Sequence, residues 1–274
     1  MTLDDRVTIV EARRRAAQTA QFGSREAKSG TFGSMATNQQ FATRLLTEAI
    51  AADRSWASWQ AANDLLTDCE VQNAVGALEL QGIDAIRLAL FRDAVLGSYR
   101  LSDPVGNGSD TDKISLCRAA ALVAEPSMHE LLTSRQWAMD IGYSPNMVDF
   151  GVSGNRRMLD KFQQYIVPVC KTDTPALSQF LEYRKILKPI RDRLLAHAQA
   201  TDRLQHLTID ETSHFIRLTL ELASDFAVVM NGSALSAESV QEYNRLEAKR
   251  FWSIAFRGAV DQHREYMVKH PEAK

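Results

Sequence analysis

The stretch Lys188-Pro189-Ile190-Arg191-Asp192-Arg193-Leu194-Leu195-Ala196-His197 sets an arginine six residues ahead of a histidine in a basic run. An imidazole with a pKa near ~6.5 can take up or give back a proton at physiological pH. A guanidinium is permanently charged and forked, and it stabilises extra negative charge on a phosphorus in a transition state. The two groups together are the minimal kit for cleaving RNA without a metal, since RNA brings its own nucleophile, the 2′-hydroxyl. Arg184, Lys185, Lys188 and Arg193 add positive charge that suits a phosphate backbone. On an ideal helix, at about 100° per residue, Arg191 and His197 lie roughly 120° apart, whereas Arg193 shares the face of His197. Arg193 is therefore an alternative to Arg191. The competing reading is a solvated basic face, with a histidine that suits the C-terminal end of a helix dipole.

Other chemistry finds little support. There is no Gly-rich phosphate loop, no His-Glu-x-x-His, no Gly-x-Ser-x-Gly elbow and no EF-hand loop. His129, His206, His214 and His270 lack acidic or cysteine partners at ligand spacing, so neither a metal nor another cofactor is expected. Cys69, Cys117 and Cys170 are an odd number of widely spaced thiols, which reads as buried cysteines rather than a disulfide framework. Trp56, Trp59, Trp137 and Trp252 are expected in the core or an interface rather than as base-stacking platforms.

The elements that must position the Arg–His segment are helical. The 274 residues include 35 Ala and 28 Leu against 16 Val and 12 Ile, and only 13 Gly. That balance favours helix over strand. A formal net charge of −2 excludes a polybasic nucleic-acid binder but leaves room for local basic patches. The longest unbroken apolar stretch, Ala119 to Ala124, is far short of the roughly 20 residues that span a bilayer. Asp4, Asp5 and Arg6 do not begin a secretory leader, so a cytoplasmic protein with no membrane partner is expected.

Residues 1–37 read as an N-terminal arm: a short helix carrying Arg13, Arg14 and Arg15, then a Gly/Ser/Thr-rich linker to Thr37. Residues 38–274 read as one all-α domain of seven or eight helices. One helix starts near Asn38, and a second runs from Asp64 to Tyr99, with Gly76 and Gly82 as points of break or kink. Ser102 to Asp110 is a loop. Thr111 or Asp112 caps a helix that Pro126 ends. Ser127 caps another from Met128 to Ile141, and Gly142 to Gly154 reads as a long loop. A helix from Arg156 stops at Pro168. Asp173 or Thr174 caps a helix that begins at Pro175, kinks at Pro189 and reaches Ala200. Thr208 or Asp210 caps the next, which closes at Asn231-Gly232. Ser236 caps the last, with an apolar stripe of Val240, Tyr243, Leu246, Phe251, Ile254 and Val260.

Arg191-Asp192-Arg193-Leu194-Leu195-Ala196-His197 resembles the signature of the HEPN superfamily of helical ribonucleases: Arg, a polar residue, several more positions, then His. Leu90 to Pro104, with Tyr99-Arg100-Leu101-Ser102-Asp103-Pro104 at its end, resembles the upstream helix and Arg-x-x-Asp turn of the abortive-infection AbiU-like branch. The resemblance covers about Gln39 to Met230. It implies an all-α domain that pairs as a homodimer, with both Arg–His pairs facing one cleft. It also implies a role in toxin–antitoxin or phage-defence systems, with an antitoxin or a nucleotidyltransferase as partner and RNA as substrate. Carried over, Arg191 and His197 are the catalytic pair and Asp192 is the polar residue between them. Arg100 and Asp103 match the pattern without an assigned role. A non-catalytic helical module that binds nucleotide, RNA or a protein partner is the alternative.

Overall fold

The computed structural model describes residues 34–103, 114–170, 182–189, 208–232 and 235–270. These form ten helices and no strand, eight of the helices having seven residues or more. They are α1 (Met35–Leu66), α2 (Cys69–Ala74), α3 (Ala77–Leu101), α4 (Leu116–Ala124), α5 (Pro126–Leu132), α6 (Arg135–Asp140), α7 (Val148–Cys170), α8 (182–189), α9 (Ile209–Asn231) and α10 (Ala237–Lys269). The expected N-terminal helix with Arg13 to Arg15, most of the linker, the caps at Thr111, Asp112, Asp173 and Thr174, and the start at Pro175 lie outside the described residues.

The 32-residue α1 is the axis of the bundle. It packs against α3, α9 and α10, while α9 also contacts α7, and α7 carries the shorter α4 and α6. Alanines let these helices close up: an added Cβ on Gly97 of α3 would stand 3.1 Å from the Cβ of Ala52 on α1. The main core is built from Phe41, Leu45, Tyr99, Leu116, Phe162, Phe215 and Phe226, drawn from α1, α3, α4, α7 and α9. Three buried side chains hydrogen-bond across the bundle. The Trp56 indole donates to Ser213 Oγ at 3.0 Å, the Trp137 indole to the Val229 carbonyl at 2.8 Å, and Asn155 Nδ2 to the Leu132 carbonyl at 2.9 Å. Trp56, Trp137 and Trp252 are buried as expected, and Trp59 stacks on Trp56 with ring centroids 4.7 Å apart.

Several boundaries differ from the sequence reading, each for a local physical reason. Ser34 Oγ accepts from the Thr37 amide, so α1 starts at Met35, inside the expected linker. Asp68 caps a separate six-residue helix by accepting from the Glu70 amide at 2.8 Å, and the chain breaks again at Gly76. Gly82 stays inside α3. Ser115, rather than Thr111 or Asp112, caps α4. Pro126 begins a helix instead of only ending one, because its missing N–H is no loss in a first turn. The expected helix from Met128 to Ile141 is two helices, since Ser134 accepts from the Trp137 amide and restarts the chain.

The expected loop from Gly142 to Gly154 becomes helical at Val148. Gly151 lies there against the Tyr143 ring, where an added Cβ would approach within 2.8 Å. The same helix passes Pro168 and ends at Cys170, because a proline in the last turn removes only one terminal bond. Cys69 is exposed at the first turn of α2, against the expectation of a buried thiol, and Cys117 is buried.

Other signals stand. Thr208 and Glu211 form a reciprocal capping box at the start of α9. Gly232 closes α9 in the left-handed conformation, φ 62°, and an added Cβ would meet the Ile141 carbonyl oxygen at 2.2 Å. Ser236 caps α10, with Glu238 in its first turn.

Of the expected α10 stripe, only Val240 and, in part, Val260 turn inward. Val240, Asn244, Ala248, Trp252 and Phe256 turn inward, whereas Tyr243, Leu246, Phe251 and Ile254 are exposed. A buried polar contact goes with this choice. Asp53 of α1, 4% exposed, accepts from Asn244 Nδ2 at 2.7 Å and from Gln241 Nε2 at 3.5 Å. Burial pushes the Asp53 carboxyl above its ordinary range, and the two amide hydrogen bonds pull it partly back. Between its ordinary and raised pKa the folded protein holds a proton that the unfolded chain has lost, so stability falls as pH rises through that window. Asp53→Asn should flatten this fall and be at least as stable as the parent at pH 7. Asp53→Ala should lose about 1–3 kcal/mol, because it strands the Asn244 amide. Urea midpoints across pH check both, and an unchanged pH slope in Asp53→Asn would contradict the account.

Candidate functional site

The helix that leads into the Arg–His segment is α8. Its buried face carries Tyr183 and Leu187, four residues apart and therefore aligned. The Tyr183 hydroxyl shares a 2.9 Å hydrogen bond with His214 Nδ1 on α9, and the Tyr183 ring sits edge-on to His214 and Phe215. Leu187 enters the main core. α8 is also held from a second side. Arg184 Nη2 lies 3.5 Å from Asp103 Oδ1, and its guanidinium carbon stands 5.5 Å from the centre of the buried Tyr99 ring. The Arg184 side chain is only 17% exposed and that of Asp103 19%.

This gives Asp103 and Tyr99 a part that their spacing alone could not assign. Both sit where α3 ends, and both meet α8. Arg100, in the last turn of α3, points outward, where a positive charge suits the helix C-terminus. Ser102 stops α3 by donating its hydroxyl to the Tyr99 carbonyl at 2.6 Å, which turns the chain so that Asp103 reaches α8. Of the expected RNA-binding residues, Lys185 and Lys188 are exposed on α8, while Arg184 is drawn inward to Asp103. Arg191, Asp192, Arg193 and His197 lie outside the described residues.

The contact with α9 was missed from sequence. His214 entered that reading only as a metal candidate, and its spacing from Tyr183 follows no local period. The described residues contain no group of three or more His, Cys, Asp and Glu side chains that could hold a metal ion. A surface cleft of about 400 Å³, lined by Tyr143, Met158, Asp225, Val228 and Leu235 among others, lies at the far end of α9 from His214. It is thus separate from the α8 anchorage. Among the described residues no helix is long and apolar enough to cross a membrane.

The anchorage has a measurable consequence. Asp103→Ala should leave the Arg184 guanidinium half-buried beside Tyr99 without its carboxylate. The expected loss is about 1–3 kcal/mol, read as a lower denaturant midpoint. Arg184→Met in the same background should recover part of it, because the uncompensated charge is removed. If Asp103→Ala unfolds at the parent midpoint, the ion pair contributes nothing to holding α8.

A family model described as AbiU2, of the HEPN type, matches residues 38–251, from the first turn of α1 into the middle of α10. No curated protein and no solved structure matches the chain. The match spans most of the chain, including both the Tyr99-to-Asp103 segment and α8, and the helical architecture agrees with it. The chain belongs to the AbiU2 family of HEPN proteins.

Proposed function

We propose that this protein is a metal-independent endoribonuclease of toxin–antitoxin or phage-defence type. The observation that carries the reading is the double anchorage of α8, by Asp103 and Tyr99 on one side and His214 on the other. It holds α8, which precedes Arg191 and His197 in the sequence, and leaves Lys185 and Lys188 exposed. A rigid helix beside catalytic groups lowers the entropic cost of positioning them.

The step is internal transfer. The 2′-oxygen of one nucleotide attacks the adjacent phosphorus as a base removes its proton. The bond from phosphorus to the 5′-oxygen breaks, and the leaving oxygen takes up a proton. His197 moves protons, Arg191 stabilises the charge on the phosphoryl oxygens, and Asp192 is the polar residue between them. Two chains paired about a two-fold axis would set both Arg–His pairs at one cleft and double the positive charge there. The setting is the cytoplasm, with an antitoxin or a nucleotidyltransferase as the natural restraint.

Purified protein should cut single-stranded RNA in EDTA and leave a 2′,3′-cyclic phosphate and a 5′-hydroxyl. DNA of the same sequence should stay intact for want of the 2′-hydroxyl. If the folded protein binds RNA, nucleotide or a protein partner and cuts no RNA, the non-catalytic module is the correct reading.

A further inference from the structure

The cleft of about 400 Å³ opens where α9 ends and α10 begins. Its walls are mostly apolar: Ile141, Tyr143, Met158, Val228, Leu235 and Ala237 line it. Leu235 is 41% exposed there. One carboxylate stands among these side chains. Asp225 Oδ2 lies 2.8 Å from Lys161 Nζ on α7, while Asp225 Oδ1 has no partner among the described residues. Apolar walls around one polar group held in place have the make-up of a recognition site.

What covers the cleft follows from where the chain enters the bundle. α1 and α9 run antiparallel, since Trp56 meets Ser213 near the start of α9 and Gln39 meets Met230 near its end. Gln39 Nε2 donates to the Met230 carbonyl at 3.1 Å, and Asn231 Nδ2 donates to the Gln39 carbonyl at 3.3 Å. The next residue, Gly232, lines the cleft. Ser34 caps α1 about 7.5 Å along the axis before Gln39, at about 1.5 Å per residue. Residues 1–33 therefore join the bundle at the end where the cleft opens. They span up to roughly 110 Å when extended and roughly 50 Å when helical, so they reach it easily.

The arm also matches the cleft in kind. Leu3, Val7, Val10 and Arg14 recur at intervals of four and three, the spacing of one helical face. Three apolar side chains followed by a guanidinium complement apolar walls and an open carboxylate oxygen. We propose that residues 3–14 dock in this cleft as an amphipathic helix, with Leu3, Val7 and Val10 against its apolar walls and Arg14 at Asp225 Oδ1. The docked arm precedes the region that the family model matches. The proposal uses neither Arg191 nor His197, so it stands whether or not the protein cuts RNA.

Photo-crosslinking in the full chain tests this. Leu235→p-benzoylphenylalanine places a reactive ketone on an exposed wall of the cleft. Irradiation should join position 235 to a residue among 3–14, read from the peptide masses. In a mixture of light and isotopically heavy protein, each crosslink should join peptides of one isotope, as a bond within one chain requires. Hydrogen exchange gives a second readout. Amides of residues 3–14 should exchange at least about tenfold more slowly in the parent than in the double variant Val7→Glu with Val10→Glu. Arg14→Glu should lose part of that protection, because it sets an acid against Asp225. These variants should keep the parent denaturant midpoint within α7 and α9, since the substitutions lie outside the bundle. The proposal fails if position 235 captures no residue of 1–33, or if parent and double variant exchange alike at residues 3–14. Capture between light and heavy chains overturns it in favour of a second copy. A small molecule held by the purified parent in native mass spectrometry, with residues 3–14 unprotected, overturns it in favour of that ligand.

Discussion

His197→Ala is expected to lower RNA cleavage by about 10²–10⁴-fold while leaving the fold intact, the typical contribution of a positioned proton-transfer group. The imidazole is the group near Arg191 that changes protonation at ordinary pH, and the 2′-hydroxyl attack needs a proton removed at one oxygen and delivered at another. Arg191→Ala is expected to cost about 10²–10³-fold, the scale of deleting one donor that stabilises a developing oxyanion. Arg193→Ala discriminates between the two arginines. If the family pattern assigns the partner correctly, Arg191→Ala has the larger effect. If the shared helical face decides, Arg193→Ala does, because residues four apart on a helix share a face. Initial rates on a labelled single-stranded RNA, with helical content measured in parallel, separate these outcomes. Equal cleavage by His197→Ala and the parent would remove the enzyme reading.

Phe226→Ala should destabilise the protein by about 3–5 kcal/mol, well above the usual ~1 kcal/mol of a point substitution. Phe226 is 1% exposed in the middle of α9. Its ring lies 5.7 Å from that of Phe41 on α1, edge-on at 65°, and 5.7 Å from that of Phe162 on α7. Truncation opens a cavity at the place where the α1 layer and the α7 layer are joined. The rigid helices around it can close that space only in part, so the loss includes a cavity cost beyond the transfer energy. A typical domain is stable by only about 5–15 kcal/mol, so this one residue carries a large share. Urea midpoints with matched slopes check the value, and Phe226→Leu should recover much of it. A loss under about 1 kcal/mol would mean that α9 does not join the two layers through this ring.

How far the fold was legible varies with the range of the cause. The helical class followed from many Ala and Leu, few β-branched residues and scarce glycine, because helix propensity is a local property summed over each segment. The caps at Thr208, Ser236 and Gly232 were legible for the same reason: each hydrogen bond closes within a few residues. Where two signals competed locally, the sequence reading slipped. Pro126 was read as a stop and is a start; Gly151 was read as loop and is the close seat of the Tyr143 ring.

The site divides along the same line. Legible in the chain alone were the closeness of Arg191, Asp192, Arg193 and His197 in a basic run and the distinctive segment from Tyr99 to Asp103. That Tyr99 and Asp103 meet α8, through Arg184, and that α8 meets α9, through Tyr183 and His214, came from the tertiary structure alone. It also decided which apolar face of α10 turns inward. Both faces carry large apolar residues, so periodicity cannot choose between them. Burial follows from the neighbours: Asp53 on α1 matches Asn244, and the second core cluster receives Ala248, Trp252 and Phe256. A cap depends on atoms three or four residues away and is written in the chain. A buried face depends on the helix across from it, more than 180 residues distant in this protein, and comes into being only when the two meet.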